Sequence, residues 1–169
     1  MIAIIIIIIL CLLYAFVKNY KENFALINIK MKNIEEKISS LLIKRRELIK
    51  DSEKIIKDVI KTDKNVYEGL ADLNERSISM TQFDKRLLAY INEFYLIESK
   101  YKKLNKNEEF KKIYLSIKDS DNELNAYKNY YNDTTVKYNK LIKNFPINII
   151  SFIKRRKEKE FFDTNEKHE

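Results

Sequence analysis

The chain has 169 residues, a formal charge of +8 and 34% charged residues, but a single Gly, Pro, Cys and His and no Trp. So little Gly and Pro excludes a turn-rich β fold, and one Cys excludes a disulfide framework or a Cys-based metal site. The length allows one domain beyond any membrane segment. Lys, Ile, Asn, Tyr and Glu dominate, a composition that suits helices and that an AT-rich genome also favours. Lys and Glu are interspersed, so the positive charge reads as a solvated helical surface, and no nucleic-acid partner is expected.

Ile2 to Val17 (IAIIIIIILCLLYAFV) runs without charge, Gly or Pro. As a helix it spans roughly 24 Å, short of the roughly 30 Å bilayer core, so it borrows from its flanks or thins the membrane. Tyr14 and Tyr20 suit the interface, and Lys18 and Lys21 can extend past the apolar edge. A cleaved signal peptide would need a basic n-region and a small-x-small site; neither is present. A lipoprotein signal would need a small residue before Cys11, where Leu10 stands. The stretch is read as an uncleaved single-pass anchor. Lys18, Lys21, Lys30 and Lys32 all follow it, which predicts the N-terminus outside and the remainder in the cytoplasm.

Between Phe24 and Ile60, apolar residues at Ile27, Met31, Ile34, Ile38, Leu41, Leu48, Ile55 and Val59 alternate spacings of three and four, with Arg45 and Ser52 in the skipped places. This predicts one long amphipathic helix, open to continuity with the anchor. Arg45 on the stripe has two readings: a packed stem with its head in water, the more ordinary one, or a buried ion pair with another helix. A break is expected at Lys61–Asn65, with Thr62 or Asp63 as cap. The pattern resumes from Val66 through Leu70, Leu73, Met80, Phe83, Leu87, Ile91, Phe94 and Tyr101, and Asn74–Gln82 leaves room for a turn. Asn105 or Asn107 is expected to cap a helix whose first turn holds Glu108 and Glu109. Its stripe is Phe110, Ile113, Ile117, Leu124, Tyr131, Tyr138, Leu141 and Phe145, and Pro146 ends it.

The last stretch has Ile147, Ile149, Ile150, Phe152 and Ile153, then Lys154, Arg155, Arg156 and Lys157, then Phe161, Phe162 and a polar tail. It reads as a docked terminal segment with solvated charges, or as a membrane-surface segment with its basic run near anionic head groups. An even number of long helices would return it to the bilayer end; an odd number would leave it roughly 50 Å away. His168 is read as a surface residue.

Lys44-Arg45-Arg46-Glu47-Leu48-Ile49, then Tyr101-Lys-Lys-Leu104 with Asn107 and Phe110, then Tyr131-Asn132-Asp-Thr-Thr-Val136-Lys-Tyr138-Asn139 with Phe145-Pro146 and Phe161-Phe162, resemble three segments of the LemA family. The doubled Tyr-Asn at a seven-residue spacing is the most specific of these. Lys50 and Lys102 stand where the family usually has Pro, so the helix breaks those prolines imply are not carried over. The resemblance implies a membrane-anchored bacterial protein whose soluble part is a four-helix up-and-down bundle, with no agreed biochemical activity. Some relatives are associated with organising internal membranes.

From the residues themselves, Tyr131 and Tyr138 share one helix face and Asn132 and Asn139 the neighbouring one. They either set the packing register or line a polar groove for a peptide or partner helix. No phosphate loop, nucleophile–base set or His–Glu metal helix appears in the sequence. The expectation is therefore an all-α protein: anchor at 1–17, antiparallel up-and-down bundle of four helices at 18–145, and a C-terminal segment at 146–169. Its function is non-catalytic, as an interaction scaffold or adaptor, or alternatively as an anionic-lipid-binding or membrane-organising protein. No cofactor or metal is expected, and homo-oligomerisation is left open. The interaction candidates are Arg45, Tyr101, Tyr131, Asn132, Tyr138, Asn139, Phe145 and Pro146. The membrane-surface candidates are Lys18, Lys21, Ile149, Ile150, Phe152, Ile153 and Lys154 to Lys157.

Overall fold

The computed structural model describes residues 1–62, 64–74, 77–144 and 147–164, with Ile147 described by its backbone alone. Asp63, Phe145, Pro146 and His168, all named above, lie outside the described residues. The described residues form four α-helices, one 3-10 turn and no strand: α1 (Ile2–Ile60), α2 (Met80–Lys100), the 3-10 turn (Leu104–Lys106), α3 (Glu108–Lys143) and α4 (Ile147–Ile153).

With no helix breaker in its first 60 residues, the chain runs from the apolar stretch into the amphipathic one as a single helix. It also continues through Lys50, one of the two places where Pro is usual in the family. Lys61 ends it in the left-handed region (φ 55), and the Thr62 N–H bonds the Lys57 carbonyl, the Schellman closure usually built on Gly. Ser79 caps α2 by accepting from the Gln82 N–H at 3.3 Å. Asn107 caps α3 by accepting from the Phe110 N–H at 3.0 Å, with Glu108 and Glu109 in the first turn as expected.

The chain divides into two compact units. Unit 1 holds 1–35 and 130–161; unit 2 holds 36–129 and 162–169. In unit 2, α1 and α3 run antiparallel, with Arg45 paired to Asp121 and the Lys37 amine over the Tyr127 ring. So do α2 and α3: Phe94 stacks on Phe110 at 5.1 Å and Asp84 meets Lys128. Hence α1 and α2 point the same way, and residues 61–79 carry the chain back along α1. This return leg is fastened at three places. The Val66 N–H bonds Glu53, the Tyr67 hydroxyl lies 3.3 Å from Ser52, and Arg46 donates to the Leu73 carbonyl.

The return leg is not the helix that Val66, Leu70 and Leu73 suggest. It is a succession of turns, because Asn65, Gly69, Asp72 and Asn74 favour turns and Gly69 takes φ 80. A Cβ at Gly69 would also stand 3.2 Å from the Tyr90 hydroxyl. The core of unit 2 is Ile38, Leu42, Ile49, Ile56, Phe83, Leu87, Ile91, Phe94, Leu104, Phe110, Ile117 and Leu124, all fully buried. The α1 stripe is thus shifted by one residue at Leu42, Ile49 and Ile56 relative to the spacing read from sequence, while Arg45 and Ser52 are buried on it as placed.

Candidate functional site

The residues that come together outside the packed core of unit 2 belong to unit 1. Ile2–Phe16 of α1 are exposed throughout, and this is the one described helix long and apolar enough to cross a membrane. The first buried side chain is Tyr20. One turn on, Phe24 lies between the Tyr20 ring (5.9 Å) and the Tyr138 ring of α3 (5.6 Å). The Arg156 guanidinium stands 3.5 Å over the Phe24 ring and donates to the Tyr20 hydroxyl at 2.5 Å. A guanidinium face on an aromatic face is favourable electrostatically, more so when partly desolvated.

Farther along α1, Glu35 accepts from the Tyr131 hydroxyl (3.4 Å) and from the Lys159 amine (2.9 Å). Burial, and then the Glu35 charge, push the Tyr131 phenol up to about 12. Asn139 makes both bonds its amide permits with one backbone position: it accepts from the Lys159 N–H at 2.9 Å and donates to the Lys159 carbonyl at 3.0 Å. Lys143 pairs with Glu158 at 2.8 Å. The chain after α4, which has no regular secondary structure over residues 156–164, is thus held against α1 and α3 by side chains of both.

The turn that directs it there follows α4. Arg155 is left-handed (φ 48), its N–H bonds the Phe152 carbonyl, and the Arg156 N–H bonds the Ser151 carbonyl. This is again a Schellman closure without Gly. On α4 itself Ser151 is buried, while Ile149, Phe152 and Ile153 are 52, 85 and 73% exposed. Lys154, Arg155 and Lys157 are exposed, as are Lys18 and Lys21, and Ile150 is half-buried. Arg156, grouped with the solvated basic run from sequence, is instead committed to Tyr20 and Phe24.

The other candidates are divided between the units. Tyr131, Tyr138 and Asn139 are buried in unit 1, where Asn132 is half-buried. Arg45 and Tyr101 belong to unit 2, and the two are not brought together. Tyr101 is half-buried at the C-cap of α2, one residue before Lys102, the second of the family's usual Pro places, with the Lys100 amine 5.3 Å from its ring centroid. Arg45 is buried and ion-paired to Asp121, so the second reading of that residue holds. The Tyr95 hydroxyl donates to the other Asp121 oxygen at 3.2 Å. Beside them Lys128 and Asp84, each under 7% exposed, pair at 2.7 Å. Burial raises the Asp84 carboxyl, opposed by the Lys128 charge. The cavity among these groups is about 10 Å³, room for one water at most.

A model of the LemA family matches residues 23–169. The chain belongs to the LemA family. No curated protein and no solved structure matches it. In this LemA chain the second Tyr-Asn pair has two jobs: Tyr138 packs on Phe24, and Asn139 clamps the backbone of the C-terminal tail. Of the residues that complete the arrangement, Glu35, Phe24 and Lys159 were not singled out from sequence, and Tyr20, read there as a membrane-interface ring, is buried here under Arg156. Their one legible signal was that Tyr20 and Phe24 are four apart, hence on one helix face.

Proposed function

We propose that this LemA-family chain is a membrane-tethered, non-catalytic helical protein of the cytoplasmic membrane that touches the bilayer twice: through Ile2–Val17, and through α4 with the basic residues after it. The observation that carries the second contact is the exposure of Ile149, Phe152 and Ile153 beside Lys154, Arg155 and Lys157, in the same unit as the foot of the apolar helix. The Arg156–Tyr20–Phe24 contact ties this segment to α1 three residues beyond Val17. An exposed apolar face with adjacent cations is the pattern of an interfacial segment drawn to anionic lipid. The Lys residues following the anchor support a cytoplasmic position for everything beyond it.

The chain has no Trp, so Phe152→Trp introduces a single reporter. Full-length protein in bilayers with brominated acyl chains should show blue-shifted, quenched emission. Quenching should grow with anionic lipid and fall when Lys154, Arg155 and Lys157 are changed to Glu. Water-like emission without quenching would sink the second contact. The chain would then be read as a scaffold acting only through protein partners, and pull-down against an anchor-only control is the test of that role.

A further inference from the structure

We propose that the surface formed by Glu35, Tyr131 and Asn139, with Tyr20 and Phe24 beyond, is a recognition groove for an extended basic segment. Its own tail fills the groove within one chain, and the tail of a second copy of this chain fills it between chains. The groove reads backbone and charge separately. Asn139 takes one backbone N–H and one backbone C=O of the same residue, a pairing indifferent to side chain. Glu35 then selects a cation at that position, Lys159, and the Phe24 face with the Tyr20 hydroxyl selects a guanidinium three residues earlier, Arg156. The pattern recognised is Arg-x-x-Lys in a segment without helix, and a second copy carries it by identity.

The tail is built to leave. Around Arg156 and Lys159, which are half-buried, Lys154, Arg155, Lys157, Glu158, Glu160 and Phe161 are exposed, so the hold in unit 1 is polar; the next residue, Phe162, is buried and belongs to unit 2. The stretch 156–161, held by polar contacts alone, opens at lower cost than the packed helices. The reversal that brings the tail back depends on a left-handed Arg155, where Gly is the usual residue. Exchanging an identical arm between copies keeps every contact and can relax that turn. The balance is then set by local concentration, which favours the intrachain form when copies are sparse and exchange when they are crowded.

The exposed pair Lys143–Glu158 provides the test, since it lies beside the clamp without forming it. In full-length Cys11→Ser protein, one population carries Lys143→Cys and another Glu158→Cys. The two are mixed at rising density under mild oxidation. A heterodisulfide that increases with density, and drops roughly tenfold when the Lys143→Cys chain also carries Asn139→Ala, is the expected result. A doubly substituted chain should close within itself at low density, and far-UV circular dichroism reports that each variant is folded. Absence of the heterodisulfide at high density would overturn the exchange, as would one insensitive to Asn139→Ala. Failure of the doubly substituted chain to close would overturn the groove itself.

Discussion

In unit 2, Arg45 and Lys128 are almost fully buried and each faces a carboxylate from another helix. In unit 1, the cations that matter, Arg156 and Lys159, stay partly in water and hold a segment without regular secondary structure. A buried pair is costly to assemble and costlier to break, so removing one partner should strongly destabilise the arrangement of helices it joins. A half-exposed contact is weak and screened by solvent, so its use is to hold something that can be let go. The same two helices, α1 and α3, supply both kinds of contact within a few turns of each other. What separates the units is how much polar surface each leaves hydrated.

The comparison is broken hardest at Lys128. Lys128→Met leaves the Asp84 carboxyl buried without its cation, which pushes its pKa further up, and should cost about 3–5 kcal/mol in urea unfolding. Asp84→Leu combined with Lys128→Met should recover most of that loss. If the single and double variants were equally unstable, the loss would not come from the unpaired Asp84 carboxyl.

Tyr131 sharpens the contrast through pH. Its phenol titrates near 10 in the unfolded chain and about 12 in the folded one. The raised value means the folded state keeps this proton longer. The stabilisation is therefore complete below pH 10 and is lost as pH rises through 12. Tyr131→Phe should remove that share of the alkaline decline, at most about 2–3 kcal/mol. The difference between wild type and variant isolates the Tyr131 share of the decline. A decline unchanged by the substitution would mean Tyr131 is not held as described.

How much of this was legible beforehand follows from the physics of each feature. The helices were readable because burial on one face imposes a period of three and four, and the absence of Gly and Pro left nothing to interrupt it. Asn107, Glu108 and Glu109 were readable as a helix start because capping is local. The return leg was misread because Val66, Leu70 and Leu73 have helical spacing, and only the density of turn formers argued otherwise. Asn139 was visible as part of a repeated Tyr-Asn pattern, but its partner was not. A clamp on the backbone of residue 159 leaves no mark in the side chains there, and Glu35 is one acid among many on a mixed-charge helix.

Asn139→Ala is the corresponding break in unit 1, smaller than that at Lys128. Two neutral hydrogen bonds at about 0.5–1.5 kcal/mol each are lost. The loss should appear as faster amide exchange confined to the tail, with Lys159 most affected. Protection at Ile38, Phe94 and Ile117 should stay as it was. Exchange that accelerated equally in both regions would mean the tail is part of the global unfolding unit.

The smallest effect is expected at Arg155, and it has the opposite sign. A non-Gly residue in the left-handed region costs roughly 1 kcal/mol or more, and Gly removes that cost. Gly also gives the unfolded chain more freedom, which takes back about 0.4–1 kcal/mol. Arg155→Gly should therefore stabilise the closed tail by a few tenths of a kcal/mol. The sign is more telling than the size. Since Arg155 is exposed, Arg155→Lys keeps the charge and the strain and should leave tail exchange unchanged. If Arg155→Gly slows amide exchange at Lys159 while Arg155→Lys does not, the turn stores strain that opening the tail releases. If both are silent, the tail opens by loss of the Asn139 clamp alone, and the turn is only a path.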